Sequence, residues 1–202
     1  MHLKRNSMPK TWPLAKKGTT YITLARDRLG QTIPLIIVLR DILKLAKTRK
    51  EVKAILVSGN LKLNDKIIKD EKYPVRLFDT LIVGEKSFKT VLKNKKFGFE
   101  PGKSEKIAKI IGKKILAGKT QLNLNDGSNI LTKEKANVGD SLIISKDKIE
   151  VLPFKEKSNV LFLKGKHLGE QGIVEKIKGK DLIVKLNKES INAKRENVIV
   201  IK

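Results

Sequence analysis

The segment that decides how this chain folds is residues 34–68, PLIIVLRDILKLAKTRKEVKAILVSGNLKLNDKII. Leu35, Val38, Leu39, Ile42, Leu45 and Ala46 recur at three- and four-residue spacing, which predicts a helix with one apolar face, and Pro34 suits its first turn. Arg40, Lys44 and Lys47 fall on the opposite face. Thr48 has the oxygen that an N-cap needs, and Glu51 stands three residues later, at the capping-box distance. A second helix is predicted from there to Ser58-Gly59, with Val52, Ile55 and Leu56 inside. LKLNDKII alternates about Asn64-Asp65 and reads as a hairpin, and FDTLIV at 78–83 reads as a strand. Helix, helix, hairpin and strand predict a compact α+β unit over residues 34–84.

On the N-terminal side, residues 1–33 show no clear apolar period. Pro9, Pro13, Gly18 and Gly30 interrupt a stretch that mixes basic residues with Trp12 and Tyr21. An extended basic arm is expected, ordered by a partner because an aromatic in a solvated tail has nothing to pack on. On the C-terminal side the pattern turns to short Ile-, Leu- and Val-rich strands separated by Gly, Asn or Asp, predicting a central β-rich domain at 85–155 and a small β-barrel at 156–202. SEKIAKIIGKKIL at 104–116 also has helical spacing, and Gly112 argues for a short helix breaking into a strand. RLFDTLIV at 76–83 and NVGDSLII at 137–144 share an Asp, a hydroxyl residue and an apolar strand, which common turn chemistry explains without duplication. In GKHLGEQGIV, 165–174, the glycines Gly165, Gly169 and Gly172 are expected to supply positive φ to a loop entering a bent strand. The spacing is neither the Rossmann nor the Walker pattern, and a strand follows it rather than a helix.

Charge sets the partner class. The 202 residues carry 45 Lys and Arg against 21 Asp and Glu, a net charge of +24, far beyond what solubility requires. A polyanion is implied. The longest apolar run, PLIIVL, is far short of the roughly 20 residues of a spanning helix, and the basic residues are dispersed, so nucleic acid is expected and membrane is not. The opening residues lack the apolar core of a secretory signal. With no cysteine and only His2 and His167, thiol, disulfide, triad and metal chemistry are all disfavoured, and neither metal nor cofactor is expected. Asp79, Asp126 and Asp140, the obvious acid candidates, each sit at a turn or strand start. The Thr48-Arg49-Lys50 corner, with Arg40, Lys44 and Lys47 before it and Lys53 after it, is a candidate phosphate clamp.

VLRDIL at 38–43, the Thr48-Arg49 corner, 52–59, LKLNDKIIKD and FDTLIV together resemble the S-four-type RNA-binding domain. That resemblance implies that Arg40, Lys44, Arg49, Lys50, Lys53, Lys62, Asn64 and Lys66 face RNA. Gly165, Gly169, Gly172 and Val174 resemble the KOW motif of an SH-three-like barrel. An opening HLKR, then PKTWPL, the S-four-type unit, a basic β middle and the KOW stretch, in that order, resemble the archaeal and eukaryotic small-subunit ribosomal protein family S-four-e. The implied fold is multi-domain α+β. The implied function is a structural constituent of the cytoplasmic ribosome, with small-subunit rRNA and neighbouring ribosomal proteins as partners and no small-molecule substrate. Further RNA contacts are expected from His2, Lys4, Arg5, Lys10, Trp12, Lys16 and Lys17 in the arm, from Lys47, and from Lys164, Lys166, His167, Lys194 and Arg195 near the C-terminus. The rivals are an RNA-modifying enzyme, for which residues 84–155 are too few, and a translation or transcription factor.

Overall fold

A short strand, β3 (Thr32–Pro34), leads directly into the first helix, α1 (Leu35–Ile37). The helix continues through 38–42 with wider turns, the Leu43 N–H donating to the Val38 carbonyl at 2.9 Å. It is shorter than the periodicity predicts. Lys44 adopts φ +53° and the chain leaves the helical path, with the Leu45 N–H donating back to the Leu39 carbonyl at 2.9 Å. Leu45 and Ala46 still pack on the core from this irregular segment, which is why their spacing mimics a longer helix. The structure is a computed structural model, and it describes every residue except 1, 28, 103–104, 117–118, 146–148, 180 and 187–188.

The second helix, α2 (Arg49–Val57), begins as predicted. Thr48 Oγ1 accepts from the Glu51 N–H at 3.3 Å, and the Glu51 carboxylate accepts from the Lys47 N–H at 2.8 Å. Val52 and Leu56 are buried. β4 (Leu61–Leu63) and β5 (Lys66–Ile67) form the predicted hairpin, with Asn64 at φ +49° and Asp65 at +66°, the type I′ geometry that matches strand twist. β6 (Pro74–Arg76) pairs with β3, and β7 (Thr80–Val83) pairs with β4. Beyond Gly84 the same sheet runs on through β8 (Lys86–Lys93) and β9 (Lys96–Pro101), in the order β5-β4-β7-β8-β9. The expected boundary at 84/85 therefore falls inside a hairpin turn, and the first compact unit extends over residues 1–104.

Residues 1–33 are not an extended arm. β1 (His2–Lys4) pairs antiparallel with β2 (Tyr21–Thr23), and Trp12, 1% exposed, joins the core made by Leu35–Leu39, Val52, Leu56, Leu81 and Phe97. Its indole N–H donates to the Thr32 carbonyl at 2.9 Å. The Phe97 N–H donates to the Thr11 carbonyl at 2.8 Å, so the segment is tied to β9 as well. The aromatic expected to await a partner finds its packing in the chain itself.

The second unit, residues 105–202, contains two five-stranded sheets. The first has the order β12-β11-β10-β13-β14 and comprises β10 (Lys106–Leu116), β11 (Lys119–Leu124), β12 (Asn129–Thr132), β13 (Ser141–Ile144) and β14 (Ile149–Leu152). The short helix expected near 104–112 is absent from the described residues. β10 is one long strand with a bulge between Ile110 and Gly112, and the extra residue shifts the apolar phase enough to imitate helical spacing. The second sheet has the order β18-β17-β16-β15-β19 and comprises β15 (Asn159–Phe162), β16 (Gln171–Lys178), β17 (Asp181–Leu186), β18 (Glu189–Lys194) and β19 (Val198–Val200). It covers its own core of Val160, Phe162, Val174, Leu182, Val184 and Val198. The expected closed barrel is not formed among the described residues: β18 and β19 are the two edges of an open sheet. The described chain is mostly strand, with helix confined to 35–42 and 49–57 apart from single turns at 5–7 and 195–197.

The three glycines of 165–174 divide by cause. Gly165 and Gly169 have φ +93° and +82°, as expected of the loop. Gly172 needs close approach instead, because a Cβ there would lie 2.7 Å from Val184 Cγ1 and 2.8 Å from the Lys185 carbonyl oxygen on β17. A backbone oxygen cannot swing aside as a side chain can. Gly172→Ala is expected to cost about 1–3 kcal/mol, the range for overpacking, read as a lower denaturant midpoint for the second unit with the Trp12 fluorescence transition of the first unit unmoved.

Candidate nucleic-acid interface

Every described arginine is engaged within its own unit. Arg5 closes the 15–19 loop by donating to the carbonyls of Thr19 at 2.7 Å and Ala15 at 2.8 Å. Arg26 pairs with Asp70 at 3.2 Å, Arg40 with the adjacent Asp41 at 2.9 Å, and Arg76 with Asp27, its Nε donating at 3.0 Å. Arg49 grips the buried Glu71, its Nε donating to the carboxylate at 2.9 Å, so the expected phosphate clamp is also the staple between the start of α2 and the 70–73 turn. These hydrogen bonds hold the Glu71 carboxyl below the usual carboxylate range and raise the Arg49 guanidinium. Arg195 stacks 4.6 Å over the Phe154 ring and donates to the Val138 carbonyl at 3.1 Å. A guanidinium fork fits carboxylates and carbonyls bidentately, which favours arginine for such internal work.

The lysines are placed differently. Lys50 and Lys53 are exposed on α2, and Lys44 and Lys47 on the segment before it. Lys62 and Lys66 are exposed on the β4–β5 hairpin. Asn64 between them is engaged: its amide N–H donates to Asp79 at 2.6 Å and its oxygen accepts from the Thr80 N–H at 2.9 Å. Lys4, Lys10, Lys16 and Lys17 are exposed, as are Lys164, Lys166 and Lys194. The arm residue Trp12 is in the core, and the His2 side chain lies outside what the structure describes. His167 lies across the loop from Glu170, Nδ1 to Oε2 2.8 Å, with its ring 6.0 Å from that of Phe162. That contact braces the 163–170 loop.

The three candidate acids all belong to turns or ion pairs. Asp79 Oδ2 accepts from the Arg76 N–H at 2.8 Å and Asp140 Oδ2 from the Asn137 N–H at 2.9 Å, the same three-residue capping in both copies of the sequence echo. Asp126 caps Ser128 and pairs with Lys106. Sequence reasoning passes over Lys109. It lies on β10, 8% exposed, with its ammonium donating to the carbonyls of Arg195 and, at 2.8 Å, Val198. Burial, with Arg195 nearby, pushes it down to about 8. Its partners, the carbonyls of Arg195 and Val198, lie far along the chain, so no local signal marks it.

A family model for the S4 domain matches residues 33–81, and one for ribosomal family S4e matches residues 100–151. The small ribosomal subunit protein eS4 of Methanocella arvoryzae is 35% identical over 88% of this chain and 81% of its own length. This chain belongs to the ribosomal S4e family. The eS4 protein of Archaeoglobus fulgidus is 33% identical over 88% of this chain and 80% of its own. The crystal structure of the 30S ribosomal protein S4e from Thermoplasma acidophilum is similar with a TM-score of 0.71 and 26% identity, covering 85% of this chain and 95% of that one. In this S4e chain the S4-domain match ends within β7, whereas the sheet it belongs to continues to Pro101.

Two ionisable groups of the S4e chain make pH-dependent predictions. Glu71 has a depressed folded value, so its ion pair stabilises above the ordinary carboxyl range near 4.5 and is lost as pH falls through the folded value. Arg49→Met should therefore lower Tm at pH 7, with the difference from wild type shrinking at about pH 3, read by thermal unfolding. Lys109 has the opposite linkage. Between pH about 8 and 10.5 the unfolded chain holds the proton that the folded chain has released, so stability from this group rises with pH across that window. In urea titrations Lys109→Met should abolish that rise. It should also cost about 1–3 kcal/mol at neutral pH by leaving two carbonyls unpaired.

Proposed function

We propose that this S4e-family chain is a structural constituent of the small ribosomal subunit in the cytoplasm, held against small-subunit rRNA by exposed lysines and flanked by other ribosomal proteins. The observation that carries the reading is family membership over most of the chain together with a net charge of +24. The described arginines are already engaged by carboxylates, carbonyls or a ring of the chain itself, so phosphate neutralisation falls first to lysine ammonium groups, which act as hydrated point charges and release counterions on contact. Lys50 and Lys53 on α2 with Lys62 and Lys66 on the β4–β5 hairpin are the leading contacts of the first unit. Lys164, Lys166 and Lys194 are those of the second. Recognition of this kind follows the shape of folded RNA rather than base sequence. A catalytic reading has no support from Asp79, Asp126 or Asp140, whose carboxylates are held in capping bonds and an ion pair.

The test is assembly and salt dependence. The chain should co-sediment with small subunits in moderate salt and bind small-subunit rRNA with an affinity that falls steeply as salt rises. Lys50→Gln with Lys62→Gln should leave Tm unchanged and make the slope of log affinity against log salt shallower by about 2, one for each phosphate that the pair no longer neutralises. Absence from purified small subunits, or binding without salt dependence, would overturn the proposal.

A further inference from the structure

The β10–β11–β12 part of the second unit carries a face that none of the interactions above uses. Cross-strand pairing sets it out in rows: Leu116 opposite Lys119, Lys114 opposite Gln121 and then Leu131, Gly112 opposite Asn123 and then Asn129. The intervening rows turn the other way, with Leu122 and Leu124 buried in the core. Alternation along a strand therefore collects Lys114, Lys119, Gln121, Asn123 and Asn129 on one outer surface. Lys114, Lys119, Asn123 and Asn129 are exposed, and Leu131 is 59% exposed.

The chemistry of this face is one-sided. The sequences of the three strands, KIAKIIGKKIL, KTQLNL and NILT, contain no carboxylate. Lys106 and Lys109 are taken up by Asp126 and by buried carbonyls, whereas Lys114 and Lys119 stand near the end of the hairpin. Three amide side chains lie in adjacent rows beside them, Gln121 donating to Asn123 at 3.2 Å. Amides both donate and accept, as ribose hydroxyls do, and lysines neutralise phosphate. The two chemistries together match the shallow groove of an A-form helix, where 2′-hydroxyls and phosphates are displayed side by side. A protein partner for so basic a face would have to bring the acids, and a lipid surface would call for an amphipathic helix rather than a row of amides.

We propose that the outer face of β10–β11–β12 is an RNA-contact surface, taking phosphates on Lys114 and Lys119 and ribose hydroxyls on Gln121, Asn123 and Asn129. This rests on the reading of the chain as a component bound to small-subunit rRNA, and it places a contact region outside the S4 domain and outside the 163–170 loop.

The chain contains no cysteine, so a single introduced thiol can carry an iron–EDTA probe. Small subunits assembled with a probe at Asn123→Cys are expected to show cleavage of the rRNA backbone at a discrete site that a probe at Glu150→Cys, on the opposite edge strand of the same sheet, does not cut. In parallel, Lys114→Glu with Lys119→Glu, at unchanged Tm, is expected to weaken rRNA binding roughly tenfold or more and to make the salt slope shallower by about 2. Normal incorporation with no RNA cleavage from position 123, with an unchanged slope, or with cleavage of a neighbouring protein from that position in place of RNA, would overturn the surface and leave the functional reading standing. Failure of the unmodified chain to enter small subunits would overturn both.

Discussion

Five consecutive residues, Leu35 to Leu39, are fully buried, and a helix that is apolar all round must be covered on every side. That requirement organises the first unit. α2 packs Val52 and Leu56 against it, and the sheet brings Leu61, Leu63, Leu81 and Phe97. What remains open is closed by residues 1–33, through Trp12 and Ile22. The N-terminal segment folds back because the helix would otherwise present apolar surface to water, and the polar atom that Trp12 brings inside, the indole N–H, has the Thr32 carbonyl to meet it. Trp12 is the largest apolar side chain that the segment buries, and Ile22, the partly buried Leu3, Met8 and Leu14, and the β1–β2 pairing add to what holds it in place.

Excess positive charge is divided by side-chain type. Arginines brace turns and join elements: Arg49 to Glu71, Arg76 to Asp27, Arg195 to Phe154 and Val138. Lysines cover the outside. Some are engaged internally, Lys89 with Glu100 and Lys106 with Asp126, and Lys109 is buried, an ammonium drawn under β19 to hold the carbonyls of Arg195 and Val198 within the second unit. Its depressed value records the burial that this bridging role demands.

Several features are legible in the sequence because their causes are local. The Thr48–Glu51 cap, the Asn64-Asp65 hairpin turn and the Asp79 and Asp140 turn caps involve partners within a few residues, and each forms where local chemistry places it. The clamp at Arg49 is half legible: its place at the start of α2 follows from the cap, but Glu71, well beyond the helix, leaves no local mark. Asn64 reads as facing outward, yet its amide is taken by Asp79 and Thr80. The bulge in β10 misleads because one extra residue in a strand and a helical turn produce the same local spacing.

Residue order and composition by themselves determined the class of partner through net charge, the two-helix and hairpin unit through periodicity and caps, and the exclusion of thiol chemistry through the missing cysteines. Tertiary structure alone decided where residues 1–33 go, how far the first sheet extends, that the C-terminal sheet stays open among the described residues, that Gly172 is required by the Lys185 carbonyl, and which cations face outward. The reason is the range of the deciding forces. Caps and turns are settled by neighbours in the chain, whereas burial is settled by whatever surface arrives from elsewhere, as β19 does over Lys109.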